Sequence, residues 1–307
     1  MSSSLLEAIG NTPLVELRRV APGGGARVFV KLEYYNPTGS YKDRMARSVI
    51  EGAERRGVLK PGMRVVEYTG GSTGSSLAMV CAVKGYRFTP VCSDAFAREK
   101  LDTMRAFGAE PIIVLSEGGN ITPDLWVRMK AEITRQAAEP GTFWADQFNN
   151  EDVMEGYAGI GTEVLGELGS GITAFCGAVG TAGMIVGVSR TLKAAGCRAR
   201  MIALEPGGSP FLTTGVGGAH RVEGTAAGFW PPLLKAGDYD EIRVVDEGAA
   251  RAMVRRLARE EGIFAGTSTG LNVEAAIGLA RELGPQDTVV TVACDSGMKY
   301  LAGDLYL

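Results

Sequence analysis

The chain has 307 residues, enough for two lobes of about 150 residues each. Lys plus Arg number 32 against 35 Asp plus Glu, a formal net charge of −3 with a pI near 5.5, which leaves neither a basic footprint for nucleic acid nor an acidic tail. A single histidine, His220, excludes a multi-histidine metal site, and five cysteines far apart (Cys81, Cys92, Cys176, Cys197, Cys294), with no CxxC, read as buried thiols in a reducing compartment rather than a zinc site or disulfide framework.

In chain order, the opening MSSSLLEAIGNTPL has neither a cationic start nor a long apolar run. No stretch approaches about 18 uninterrupted apolar residues. No signal peptide or membrane span is therefore expected, and the expected location is the cytoplasm. Short β-branched runs predict strands at 28–32, 64–68, 88–92 and 111–115, then at 172–176, 201–205, 242–245 and 288–292. Helical patterns fall between them at 42–56, 73–84 and 97–107. Another helix starts near Pro123, where Leu125, Met129 and Ile133 recur every four residues as one apolar face. A new helix over 151–168 follows a boundary near Asn149 and Asn150. Strands alternating with helices of this length predict an α/β fold of βαβ crossovers and mainly parallel sheets. The longest irregular segment, 206–232, is rich in Gly, Pro, Ser and Thr, and a loop of that length is more often functional than accidental.

Three glycine-rich turns each follow a predicted strand and open a helix, where main-chain N–H groups and the helix dipole favour anions. They are Thr69-Gly70-Gly71-Ser72-Thr73-Gly74, Gly177 to Gly183 and Gly266-Thr267-Ser268-Thr269-Gly270. One such turn is weak evidence, because tight βα connections need glycine anyway. Three, all carrying hydroxyl residues, point to a ligand with more than one anionic or polar end. The second turn also admits a dinucleotide reading: Gly177, Gly180 and Gly183 lie three apart, and Glu205 ends the next strand about 20 residues on. Position 179 is Val, however, where the second glycine of that fingerprint belongs.

Lys42 lies in the first turn of a predicted helix, after Asn36-Pro37-Thr38-Gly39-Ser40-Tyr41. Most lysines are exposed charges. At a helix N-terminus the dipole opposes a cation and eases deprotonation, and a neutral amine is the form that makes Schiff bases with aldehydes.

The turns and the lysine together resemble the cysteine synthase (O-acetylserine sulfhydrylase) and cystathionine β-synthase family of fold-type II pyridoxal phosphate enzymes. The likeness runs from Gly10-Asn11-Thr12-Pro13-Leu14 to Asp295-Ser296-Gly297. It implies two three-layer αβα domains with mainly parallel sheets, like the tryptophan synthase β chain. The larger, cofactor-binding domain would be 1–40 with 150–307, and the smaller, mobile domain for the substrate carboxylate 41–149.

The resemblance implies that Lys42 carries pyridoxal 5'-phosphate as an imine and later acts as acid and base at the substrate carbons. Gly180, Thr181, Ala182, Gly183 and Met184 would hold the phosphate, and Ser268 would hydrogen-bond the pyridine nitrogen. A serine hydroxyl does not force a proton onto that nitrogen as a carboxylate would, which favours loss of a β-substituent over transamination. Thr69, Gly70, Ser72, Thr73 and Gln147 would bind the substrate carboxylate, and Gly228 and Phe229 would face cofactor and substrate. The implied reaction is β-replacement through an α-aminoacrylate, O-acetyl-L-serine plus sulfide giving L-cysteine and acetate. The resemblance further implies a homodimer and admits serine acetyltransferase as a partner.

Four positions depart from the family pattern. The carboxylate turn is usually Thr-Ser-Gly-Asn-Thr-Gly, and here Gly70 stands for the serine and Ser72 for the asparagine, which also contacts the cofactor's phenolic oxygen. In the phosphate loop Ala182 stands for a glycine and Met184 for a threonine, a change that removes one hydroxyl donor, worth about 0.5–1.5 kcal/mol. These departures keep open a cysteine desulfhydrase, a serine dehydratase and an O-phosphoserine- or cystathionine-type synthase. From other classes, an NAD-dependent oxidoreductase and a catalytically silent binding homologue remain.

Overall fold

The computed structural model describes residues 4–96, 98–119 and 123–307. The chain divides into two compact units: Met1–Ile9 with Lys42–Gly156, and Gly10–Tyr41 with Tyr157–Leu307. Residues 4–9 thus group with the smaller unit. The later division falls inside a helix rather than at Asn149 and Asn150.

The smaller unit is built on a four-stranded parallel sheet of β3 (Arg64–Tyr68), β4 (Arg87–Ser93), β5 (Ile112–Val114) and β6 (Thr142–Trp144), in the order β5-β4-β3-β6. Its helices are α1 (Lys42–Arg55), α2 (Ser72–Lys84), α3 (Arg98–Ala106) and α4 (Pro123–Ala137). Ala97, where the sequence pattern starts α3, lies outside the described residues. Leu125, Met129 and Ile133 are fully buried against Val66 and Val91, so the four-residue spacing in α4 marks the face that covers the sheet. Val65 points the other way along the strand and is equally buried, so β3 is covered on both faces.

The larger unit holds β1 (Leu14–Glu16), β2 (Arg27–Leu32), β7 (Ala174–Ala178), β8 (Arg200–Pro206), β9 (Glu241–Val245) and β10 (Thr288–Ala293), in the order β1-β2-β10-β7-β8-β9. Only β1 runs antiparallel; the other pairings are parallel. Its helices are α6 (Gly183–Ala194), α7 (Phe211–Thr214), α8 (Glu247–Arg256) and α9 (Thr267–Glu282), while α5 (Asp152–Leu168) straddles the division between the units. Among the described residues no helix is long and apolar enough to cross a membrane.

α9 is buried along nearly its whole length and packs closely on α8. A Cβ at Gly270 would stand 2.2 Å from the Ala250 carbonyl oxygen, so the third glycine turn needs glycine there for helix packing. Gly270→Ala is therefore expected to lower unfolding stability by about 1–3 kcal/mol, read as a fall in chemical-denaturation midpoint. An unchanged midpoint would contradict this packing.

Candidate active site

The sequence places its candidate residues at helix starts, and the structure shows what those starts have in common. α2, α6 and α9 begin at Gly71, Ala182 and Gly266, and none of the three has a side chain capping its first N–H groups. Elsewhere caps are present: Asp246 accepts the Ala249 N–H at 2.8 Å at the start of α8, and Ser296 accepts that of Met298. Helix starts whose N-cap residue offers no side-chain acceptor, on helices of 12 to 16 residues, suit an anion.

In the smaller unit, Lys42 opens α1 and is only 8% exposed, so it is not an ordinary surface lysine. After β3, the Thr69 hydroxyl oxygen accepts the Gly71 N–H at 3.1 Å and shapes the turn. Thr73 and Gln147, 74 positions apart, come together: Thr73 Oγ1 donates to Gln147 Oε1 at 2.8 Å. Gln147 Nε2 donates to the Tyr68 carbonyl at 3.3 Å, which fixes the amide's orientation. Thr73's hydroxyl proton is thus engaged by Gln147.

The departure at Gly70 has a steric cause: a Cβ there would lie 2.9 Å from the Phe96 ring, which tilts against Trp126 with centroids 5.7 Å apart. Lys100 lies against Gly71 in the same way, its side chain within 2.8 Å of where a Cβ would be. Ser72 opens α2 and is half-buried.

In the larger unit, the second turn is shorter than the sequence reading has it. Gly177 lies inside β7, in register with Ala203, and needs no side chain because the Met184 methyl occupies that space, 2.3 Å from a would-be Cβ. Met184 is therefore a core side chain that offers only its main-chain N–H. Ala182 takes a left-handed conformation (φ 69°), which explains why glycine suits this position, and the Val186 N–H returns to its carbonyl at 3.1 Å. Gly180 has the Gly224 carbonyl 2.3 Å from its would-be Cβ, and the Ala226 N–H donates to the Val179 carbonyl at 2.9 Å. The Gly224–Phe229 segment thus lies directly on the Gly180 turn, and a small pocket between them is lined by Gly180, Ala226, Gly228 and Phe229. Ser268 is buried in the first turn of α9 between Thr267, which accepts the Glu223 N–H, and Thr269, which accepts that of Cys294.

The dinucleotide reading loses its acidic residue. Glu205 is buried and accepts the N–H groups of Leu212 and Thr213 together with the Thr213 hydroxyl, so it caps α7 and orders part of the long loop. His220 braces that loop internally, Nδ1 accepting the Val222 N–H at 3.3 Å. All five cysteines are buried, and burial pushes the Cys81, Cys92 and Cys176 thiols up to about 12, which keeps them unreactive.

Two buried polar residues at the turns escape a reading of the sequence. Asn272 Oδ1 accepts the Ala178 N–H at 2.7 Å, at the end of β7, while its Nδ2 donates to the Val292 carbonyl at 2.9 Å. Glu67, next to the end of β3, accepts the Tyr68 N–H on Oε1 at 2.9 Å and the Gln147 N–H on Oε2 at 3.0 Å. The only signal for either is a polar residue inside an otherwise buried element.

In the larger unit, uncapped N–H groups at Gly183 and Met184 and a buried hydroxyl at Ser268 suit a phosphate-bearing group; in the smaller unit, Lys42 is a buried amine of the kind that reacts with an aldehyde. The profile of the pyridoxal-phosphate dependent enzymes matches residues 5–295. The chain belongs to that family, as an enzyme of the cysteine synthase type. It is 42% identical over 308 residues to a cysteine synthase of Staphylococcus aureus, covering 99% of this chain and 96% of that one. It is 38% identical over 311 residues to an O-ureido-L-serine synthase of Streptomyces lavendulae, covering 99% and 92%. The crystal structure of a cysteine synthase from Entamoeba histolytica superposes with a TM-score of 0.91 at 34% identity, covering 100% of this chain and 91% of that one.

Burial pushes the Glu67 carboxyl up from 4.5 to about 8, against the opposing pull of the N–H groups of Gln147 and Tyr68. A carboxyl raised on folding contributes stability that is fully present below the unfolded value near 4.5 and is lost as pH rises through about 8. Glu67→Gln cannot ionise. Its melting temperature relative to wild type is expected to rise between about pH 5 and about pH 9. A constant difference across that range would contradict a neutral Glu67.

Proposed function

We propose that the enzyme catalyses β-replacement on a β-substituted L-amino acid, with O-acetyl-L-serine and sulfide giving L-cysteine and acetate. The carrying observation is the α2 turn, a helix start without a side-chain cap from Gly71 and with Thr73 bonded to Gln147 beside it, which supports a carboxylate-binding role. Full-length similarity to a relative named cysteine synthase supports the choice of reaction.

In this reading Lys42 Nζ holds the cofactor and then takes and returns the substrate's α-proton. The N–H groups of residues 180–184 bind the phosphate; Thr181 adds a hydroxyl, and Ala182 and Met184 add only main chain. Ser268 offers its hydroxyl to the pyridine nitrogen without charging it. Thr69, Gly70, Ser72, Thr73 and Gln147 orient the carboxylate, and Gly228 and Phe229 border the ligand. When bound, pyridoxal phosphate supplies the electron sink that lets the β-substituent leave. The larger unit serves as the cofactor-binding domain and the smaller, as a moving part, carries the carboxylate turn. The same reading carries a cytoplasmic homodimer, with serine acetyltransferase as a partner.

The O-ureido-L-serine synthase relative favours a second reading, in which the same substrate accepts a nucleophile other than sulfide. Steady-state kinetics of the holoenzyme decide between them. Sulfide with O-acetyl-L-serine is expected to exceed O-phosphoserine, serine and cysteine as donors in kcat/KM. Ser72→Asn is expected to change the order among those donors while cofactor content stays the same. Preference for another donor, or for another nucleophile over sulfide, would contradict the first reading.

A further inference from the structure

Glu67 is fully buried, and among the described residues it makes no ion pair. Its hydrogen-bond partners are all N–H donors: Tyr68 and Gln147 of the main chain, and Trp144 Nε1 at 3.4 Å. Removing a carboxyl from water is costly, and well-packed apolar residues are often the more stable choice at such a position. The two main-chain groups that Glu67 holds are the ones that control a single side chain. Tyr68 supplies the carbonyl that fixes the Gln147 amide at 3.3 Å, and Gln147 supplies the oxygen that receives the Thr73 hydroxyl at 2.8 Å. Gln147 also follows Asp146, which sits at φ 48°, a conformation that needs support from its surroundings. The result is a closed ring of hydrogen bonds from Glu67 through Gln147 and Tyr68, joining the end of β3 to the segment after β6.

We infer that Glu67 is a positioning residue for substrate binding, clamping the main chain of Tyr68 and Gln147 so that the Gln147 side chain is held against Thr73. The inference rests on the reading that the α2 turn receives the substrate carboxylate. Glu67 touches neither substrate nor cofactor in this scheme; it acts through Gln147.

The test is a double-mutant cycle on the holoenzyme, with O-acetyl-L-serine and sulfide. Glu67→Gln keeps the size but has one acceptor oxygen, so its amide nitrogen must face one of the two N–H groups. It is expected to raise the amino-acid KM about ten-fold, with kcat altered less than about two-fold and cofactor absorbance unchanged. Gln147→Ala is expected to raise KM at least as much. The combined variant is expected to be no worse than Gln147→Ala alone, because the clamp has nothing left to hold. Glu67→Asp, which keeps the carboxyl group but withdraws its oxygens, is expected to raise KM in the same direction and serves should Glu67→Gln not fold. A KM unaffected by either Glu67 variant, or effects that multiply in the double variant, would overturn the clamp and leave the functional reading standing. A wild type that turns over no β-substituted amino acid would contradict that reading and, with it, the clamp's role in binding.

Discussion

The N-cap residues of α2, α6 and α9 offer no side chain to the main-chain N–H groups that follow them, and the rest of the arrangement follows from that. An uncapped helix start inside a folded protein leaves donors that need a partner. At each of the three starts the sequence supplies a residue that cannot cap: Gly71, Ala182 and Gly266. Asp and Ser are used as caps elsewhere in the same chain. In the proposed function these donors receive a phosphate and a carboxylate, and the buried Lys42 an aldehyde.

Such donors bind well only if they are held still, because any freedom in the turn must be removed on binding. Each unit ties the strand end that leads into its turn with a buried polar side chain. Asn272 ties the end of β7, where the second glycine turn begins, to β10. Glu67 ties the end of β3 to the segment that carries Gln147. Packing does the rest: Met184 fills the space over Gly177, Phe96 fills that over Gly70, and the Gly224 carbonyl closes on Gly180. The departures at Gly70 and Met184 are therefore changes in which atoms fill a space. Main-chain donors remain at both positions, which is compatible with unaltered cofactor chemistry and altered substrate preference.

Much of this was legible in the sequence, where local chemistry decides. The β-branched runs mark most of the strands, the repeat at Leu125, Met129 and Ile133 marks the buried face of α4, and the glycine turns mark helix starts. Strands β1 and β6 are three residues each, too short for any alternation to register. β7 runs two residues further than its apolar pattern, because Gly177 and Ala178 read as turn residues until the methyl of Met184 is seen against them. The pairing of Thr73 with Gln147 spans 74 positions, and the ties made by Asn272 reach 94 and 20. No local pattern carries such separations. Glu67 looks like an ordinary polar residue in a strand, and its role appears only once both faces of β3 are seen to be covered. Glu205 misled in the opposite sense: its spacing suits a dinucleotide, yet its carboxylate is occupied by α7.

The central claim is the chemical identity of the lysine that holds the cofactor. Reduction of the holoenzyme with borohydride, followed by protease digestion and mass spectrometry, locates that lysine directly. The account expects the reduced pyridoxyl group on the peptide containing Lys42. Finding it on another lysine, such as Lys100 beside Gly71 at the α2 turn, or on none, would contradict it.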